Sequence, residues 1–290
     1  MTRVSDALAR AAQNPMPDVP VVEVGAEFPA ERPVELRTTE GRESTQSEDR
    51  RDEMSLPGNA VTTMSGTLGS EKLVTASAIA HAPIEQYRRL AARLHLSQAE
   101  HGTKVVMVTS AIASEGKTLT ATNLALTLSE SYNRRVLLID ADLRRPWVHE
   151  LFRVPNLTGL NDGIRADTER KVPLIQVSEN LSVLTAGRPD PDPMSVLASD
   201  RMRRVLADAA RSFDWVIVDT PPVAVLSDAH LLAALVDTVI LVIKAGSTQG
   251  AAMQQAIAAV GRERILGVVL NCADDGPQSA YGYYGYGPRT

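Results

Sequence analysis

The chain has a single cysteine, Cys272, so it cannot form an internal disulfide or a cysteine-based zinc site. Its five histidines show no metal-ligand spacing. Residues 1–10 lack the apolar core of a secretory signal, which makes the cytoplasm the expected compartment. No hydrophobic run is long. The most apolar stretch, residues 231–243, is broken by Asp237 and Thr238 and falls short of the ~20 residues a membrane helix needs. Neither sign of charge dominates: 30 Lys plus Arg stand against 35 Asp plus Glu, a net charge of −5, so no nucleic-acid footprint follows from charge and nucleic acid is not an expected partner. What is present is 290 residues, 44% hydrophobic and 22% charged, enough to bury a real core and too apolar for a fibrous or wholly disordered protein.

Composition shifts at about residue 80. Residues 31–53 are dense in Arg, Glu, Asp, Ser and Thr, and residues 56–70 are rich in Gly, Ser, Thr and Met, so residues 1–78 read as a largely disordered arm. Within it, Val4, Leu8 and Ala11 recur at helical spacing and predict a short helix over 5–13, too small to be stable alone. A second helix is predicted over 84–96, with Ile84, Tyr87, Leu90, Ala91 and Leu94 on one face; it begins the folded domain, residues 79–273. Beyond it, short β-branched apolar runs at 105–109, 136–140, 181–185, 215–219, 239–243 and 265–270 alternate with helical patterns near 117–132, 199–212, 227–236 and 249–261. Continuous apolarity means burial on both faces, so the expected fold is α/β, a doubly wound, mostly parallel sheet. In such folds ligands sit at the carboxyl ends of the strands. Residues 274–290, punctuated by Gly and Pro, are expected to be a mobile tail, and four of the six tyrosines lie there: Tyr281, Tyr283, Tyr284 and Tyr286.

The run from Val105 to Thr118 reads as a buried strand, a loop, and then Gly116-Lys117-Thr118 opening a helix. That is the context of a phosphate-binding loop, in a relaxed form whose first position is Ala111. Successive backbone N–H groups, from Ala111 through Ser114, Glu115 and Gly116 to Leu119, would converge on the phosphates. Lys117 would reach the β and γ oxygens, and the Thr118 hydroxyl would ligate Mg²⁺. Two further strands end in carboxylates: Asp140 and Asp142 after one, Asp219 after another. Three carboxylates meeting one phosphate site favour metal and water positioning, with Asp219 and Asp142 as candidates for the Mg²⁺ shell. Asp140 and Asp142 are both candidates to accept a proton, and spacing does not choose between them. Arg144 and Arg145 are placed to clamp phosphate or acceptor. Asn271, at a strand end, is placed either to contact the nucleotide base or to cap, and Cys272 reads as a small core residue.

The phosphate loop, the segment Ile139-Asp140-Ala-Asp142-Leu-Arg-Arg-Pro146, Val218-Asp219-Thr-Pro-Pro222 and the terminal tyrosines together resemble the bacterial tyrosine kinases that accompany polysaccharide copolymerases, P-loop NTPases in fold. The likeness covers residues 79–290 and is supported by Gly159-Leu-Asn-Asp-Gly163, Leu184-Thr-Ala-Gly-Arg188 and Ser227-Asp228-Ala229. It implies an ATP- and Mg²⁺-dependent autokinase whose tail tyrosines are phosphorylated in a neighbouring subunit, coupled to capsule or exopolysaccharide export. A membrane-embedded copolymerase would be the activator and would recruit the chain to the inner membrane face, and a cognate tyrosine phosphatase would reset the tail. The chain departs from the family in two places. Ala113-Ser114 stands where members often carry Pro-Gly. The family's oligomerisation motif, Glu-x-x-Arg-x-x-Arg, is matched by Glu85 and Arg88 but has Ala91 third, so a ring-like homo-oligomer is less firmly implied, with Arg89 or Arg93 as substitutes.

Two other functions compete. A switch ATPase of the septum- or plasmid-positioning kind shares the phosphate loop and strand-end Asp, but usually has an extra lysine at the start of the loop, where this chain reads Ser110-Ala111. A nucleotide-bound scaffold without turnover would use the tail only to bind a partner.

Overall fold

A computed structural model describes residues 21–24, 61–63, 73–74, 81–166, 174–223 and 228–273. The short helix expected over 5–13 and the four tail tyrosines lie outside the described residues. Each apolar run expected as a strand is one: β3 (Val105–Ser110), β4 (Val136–Asp140), β6 (Leu181–Leu184), β7 (Trp215–Asp219), β8 (Thr238–Lys244) and β9 (Ile265–Asn271). Three shorter strands join them, β1 (Val21–Val24), β2 (Val61–Thr63) and β5 (Leu174–Gln176). With three or four residues each, they are too short to show periodicity, and the first two fall in the stretch read as an arm. The sheet runs β1-β9-β8-β3-β7-β4-β6-β5-β2, and every pairing is parallel except β5 with β6. This is the doubly wound, mostly parallel α/β architecture of a P-loop NTPase.

Alternation along the central strands separates two cores. Val105 and Met107 of β3 and Leu137 and Ile139 of β4 face one side, where they meet α6 (Asp200–Ser212), α7 (Asp228–Ala233) and α8 (Gly250–Val260). Val106, Val108, Val136 and Leu138 face the other, under α1 (His81–His101) and α2 (Lys117–Leu126). Burial on both faces is why these strands are apolar throughout rather than alternating. Helix α1 outruns the predicted 84–96 in both directions and stops at Gly102, whose φ of 72° supplies the left-handed turn that ends a helix. Helix α2 covers ten residues of the expected 117–132 and passes into a π-helical turn at Thr127–Ser131.

Three short helices, α3 (Val148–Phe152), α4 (Leu160–Arg165) and α5 (Met194–Leu197), were invisible to periodicity. Helix α4 opens the Gly159-Leu-Asn-Asp-Gly163 segment, which is pressed against the loop after β6. Leu160 N–H donates to Thr185 O at 2.8 Å, and Asn161 N–H to Ala186 O at 2.9 Å. That loop is in turn tied to the loop after β4 by Asp190 N–H to Leu143 O at 2.8 Å. A Cβ on Gly159 would lie 2.2 Å from Thr185 O and 2.3 Å from Gly187 N, both backbone atoms that cannot swing aside. Gly159→Ala is therefore expected to cost about 2–3 kcal/mol, a fall in melting temperature on the order of 5–10 °C. A thermal melt unchanged within 1–2 °C, roughly the shift of half a kcal/mol, would show that the two loops separate freely.

Candidate active site

Parallel register decides which side chains meet. Asp140 of β4 lies opposite Asp219 of β7, and Asp219 lies opposite Val108 of β3. All three strands therefore reach the same sheet edge, where β3 runs into residues 111–116. Strand β3 sits between β7 and β8, so the chain leaves β7 on one side of it and returns as β8 on the other. A crevice at such a reversal is where ligands of open α/β sheets bind.

The loop is shaped before it meets any ligand. Ala111 is buried, Ala113 and Ser114 are exposed at the tip, and Gly116 takes φ 89° immediately before α2. Ser114 also has a positive φ, 65°, in the left-handed region that disfavours side chains, at the position where the resembled family has Gly. The Leu119 side chain is half-buried and packs against the core beneath α1 and α2. Glu115 is also turned inward, 1% exposed, and Asn271 donates its amide to Glu115 O at 2.9 Å.

At the head of the loop, Lys117 Nζ stands 2.9 Å from Asp142 Oδ2 and 3.8 Å from Asp219 Oδ1, and donates to Thr118 Oγ1 at 3.1 Å. Burial opposes its charge, but Asp219 and Asp142 outweigh burial and hold the ammonium well above its ordinary value. The three carboxylates differ sharply. Asp140 Oδ2 accepts from Trp147 and Val148 N–H, both at 3.0 Å, and Oδ1 from Asp142 N–H at 3.2 Å. It thereby caps α3 and fixes the turn that presents Asp142, while burial and then the charge of Asp219 push its carboxyl well above the usual range. Asp142 Oδ1 accepts from Arg145 N–H at 3.1 Å, leaving Oδ2 to Lys117. Asp219 is fully buried; the Thr118 hydroxyl and Thr220 N–H lie near enough to favour its charge, but neither of its oxygens has a hydrogen bond of good geometry. Burial foremost, with Asp142 against Lys117, raises its carboxyl to about 6.

Two buried carboxylate oxygens without well-placed donors, beside a threonine hydroxyl at a phosphate loop, are the donor set that a hydrated Mg²⁺ takes. Among the described residues no three His, Cys, Asp or Glu side chains converge to hold a metal by themselves, so an ion here draws its remaining ligands from phosphate and water. Arg144 donates to Pro191 O, which binds it to the loop after β6, and Arg145 is exposed. Glu85 and Arg88 form an exposed pair at 3.6 Å on α1, whereas Ala91 is buried beneath that helix. The third position of the oligomerisation pattern therefore faces the core. Cys272, expected as a core residue, is only half-buried and sits in a left-handed turn with φ 55°. Thr248 and the backbone of Lys244 also reach the loop, through Glu115; at 129 and 133 residues' separation no local sequence signal links them.

Residues 106–281 match the family described as the CobQ/CobB/MinD/ParA nucleotide binding domain. The chain is 37% identical over 205 residues to the tyrosine-protein kinase YwqD of Bacillus subtilis, covering 69% of this chain and 86% of that one. It is 34% identical over 207 residues to the tyrosine-protein kinase etk of Escherichia coli, covering 70% of this chain and 28% of that longer protein. The solved kinase domain of the Escherichia coli tyrosine kinase ETK superposes with a TM-score of 0.67 at 30% identity, over 79% of this chain and 94% of that domain.

The electrostatics of Asp219 give a stability prediction. Its carboxyl rises from 3.8 unfolded to about 6 folded, so between those values the folded chain holds more protons and stability falls as pH rises. Above pH 6 the destabilisation is present in full. Asp219→Asn is expected to stabilise the nucleotide-free protein at pH 7.5 by about 1–3 kcal/mol, or roughly 3–10 °C in melting temperature. The gain should disappear below about pH 4, where Asp219 is protonated in both states. A variant that melts at or below the wild-type temperature at pH 7.5 would contradict this.

Proposed function

The chain belongs to the CobQ/CobB/MinD/ParA nucleotide-binding family and, within it, to the bacterial tyrosine-protein kinases, and from that premise we propose that it is an ATP-dependent autokinase acting on its own C-terminal tyrosines. The observation that carries this reading is Lys117 at the head of a strand-loop-helix phosphate cradle, held between the strand-end carboxylates of Asp142 and Asp219. On binding ATP, Lys117 turns from Asp142 to the β and γ phosphates, and the backbone N–H groups of residues 111–118 surround them. Thr118 and Asp219 hold Mg²⁺, which when bound neutralises charge on the phosphate oxygens.

A tail hydroxyl, from Tyr281, Tyr283, Tyr284 or Tyr286, attacks the γ-phosphorus in line. The bond from phosphorus to the β,γ-bridging oxygen breaks, ADP leaves with that oxygen, and the phenolic proton passes to Asp142. Asp142 fits this role better than Asp140, both of whose oxygens are engaged by backbone N–H groups. The acceptor tail is that of a neighbouring subunit. The proposed setting is capsule or exopolysaccharide synthesis at the inner membrane face, with a membrane copolymerase as activator and a tyrosine phosphatase resetting the cycle. Among the described residues no helix is long and apolar enough to cross a membrane, so attachment there would require a partner or residues beyond those described.

Incubation with Mg²⁺·ATP and detection of phosphotyrosine tests the proposal. Lys117→Met is expected to lower phosphotyrosine formation at least ~100-fold, because the charge that follows the transferring phosphoryl group is gone. Replacing all four tail tyrosines by Phe should abolish tail phosphorylation and leave Mg²⁺·ATP binding within about twofold. ATP hydrolysis by the wild type with no phosphotyrosine would favour the switch ATPase instead.

A further inference from the structure

Glu115 sets a problem. A phosphate cradle is a site for anions, yet this loop carries a carboxylate immediately before Gly116-Lys117, where a freely rotating side chain would repel the triphosphate. The side chain is instead buried and fully engaged. Its Oε2 accepts from Ile112 N–H at 2.8 Å, across the loop, and its Oε1 accepts from the Thr248 hydroxyl and from Lys244 N–H at 3.4 Å. The Thr248 hydroxyl itself accepts from Lys244 N–H at 3.0 Å and also lies 3.2 Å from Lys244 O, a second acceptor for its proton beside Glu115. The turn between β8 and α8 therefore grips the loop by a side chain 133 positions away in sequence.

The following peptide is gripped as well. Asn271, the last residue of β9, donates Nδ2–H to Glu115 O at 2.9 Å, while its Oδ1 accepts from Cys272 N–H at 3.0 Å. The chain has no cis peptide bonds among the described residues, so the C=O of Glu115 and the N–H of Gly116 point in opposite directions from one plane. Anchoring the carbonyl on Asn271 thus aims the Gly116 N–H away from Asn271, toward the cradle. The approach is close: a Cβ on Gly116 would fall 2.0 Å from Asn271 Nδ2, so any side chain at 116 would evict the amide.

We infer that Thr248, Glu115 and Asn271 are positioning residues for the nucleotide, a brace that holds the phosphate loop in its receiving shape before ligand arrives and keeps the Glu115 carboxylate off the phosphates. Thr248 and Glu115 fix the loop's side-chain face, and Asn271 sets the direction of one phosphate-binding N–H. The inference rests on the proposed nucleotide site and assigns roles to residues that need not touch the ligand.

The test is the affinity of the purified chain for Mg²⁺·ADP by isothermal titration calorimetry, alongside thermal melts. Thr248→Val and Asn271→Ala are each expected to weaken binding about tenfold, the effect of one buried hydrogen bond. Thr248→Ser, which restores the hydroxyl, should bind within about twofold of wild type, a rescue that a general packing role would not produce. Glu115→Ala combined with Thr248→Val should bind no more weakly than the weaker single variant, because both break the same bond. Folded Thr248→Val and Asn271→Ala proteins that both bind within twofold of wild type would overturn the brace. Thr248 holds the Glu115 side chain and Asn271 its carbonyl, so either decides the question if the other fails to fold. Lys117→Met separates the two levels: binding lost there but intact in the brace variants refutes only the brace, whereas a wild type that does not bind Mg²⁺·ADP refutes the nucleotide site and the brace together.

Discussion

Lys117 is one cation facing two buried carboxylates, and the site is arranged around that inequality. Its ammonium lies closer to Asp142 than to Asp219, so Asp142 is neutralised by direct contact while Asp219 is left with a nearby charge and no hydrogen bond. Burying an ion without a full set of partners is costly, and the cost appears as the raised carboxyl of Asp219. Asp140, equally buried on the adjoining strand, accepts from three backbone N–H groups, yet burial and the charge of Asp219 still hold its carboxyl well above the usual range. Three carboxylates at one sheet edge thus divide into a structural cap, a partner for lysine and an unsatisfied acceptor.

That division depends on register. Parallel strands buried on both faces can slip only by moving whole rows of side chains between the two cores, so the pairing of Asp140 with Asp219 is fixed by Leu137, Ile139, Val216 and Val218 on one face and Val136, Leu138, Trp215 and Ile217 on the other. The apolar runs that made these strands legible in the sequence are therefore the same feature that aligns the carboxylates. The phosphate loop was legible for a related reason. Its glycine, lysine and threonine are consecutive, and a local motif on a strand-to-helix turn carries its geometry with it.

Other parts of the molecule were not legible, and the reasons are physical. Helices α3, α4 and α5 have four to six residues, less than two turns, so periodicity has nothing to repeat. Glu115 turns inward onto Thr248, and Asn271 reaches Glu115, contacts between residues far apart in sequence that no local pattern reports. The separation of Asp140 from Asp142 followed from backbone N–H groups of Trp147 and Val148, which no side-chain pattern reports. The Glu85 and Arg88 spacing was visible, and so was Ala91 on the apolar face of α1, where the structure buries it.

The charge balance of the site also explains why a triphosphate should enter only with a divalent ion. With Asp142 and Asp219 ionised, the immediate surroundings of Lys117 are net negative, and Asp140 adds to this to the extent that it ionises. A bare polyanion would meet repulsion that one ammonium cannot offset, and beside buried carboxylates that repulsion is only partly screened. A hydrated Mg²⁺ brought with the nucleotide would reverse the sign. Held beside Asp219, it would supply charge where burial leaves a carboxylate poorly partnered, and Lys117 would then be free to leave Asp142 for the phosphates. In the proposed reading, the feature that destabilises the nucleotide-free protein, an ionised and poorly partnered Asp219, is thus the feature that would make the metal-nucleotide complex the favoured ligand.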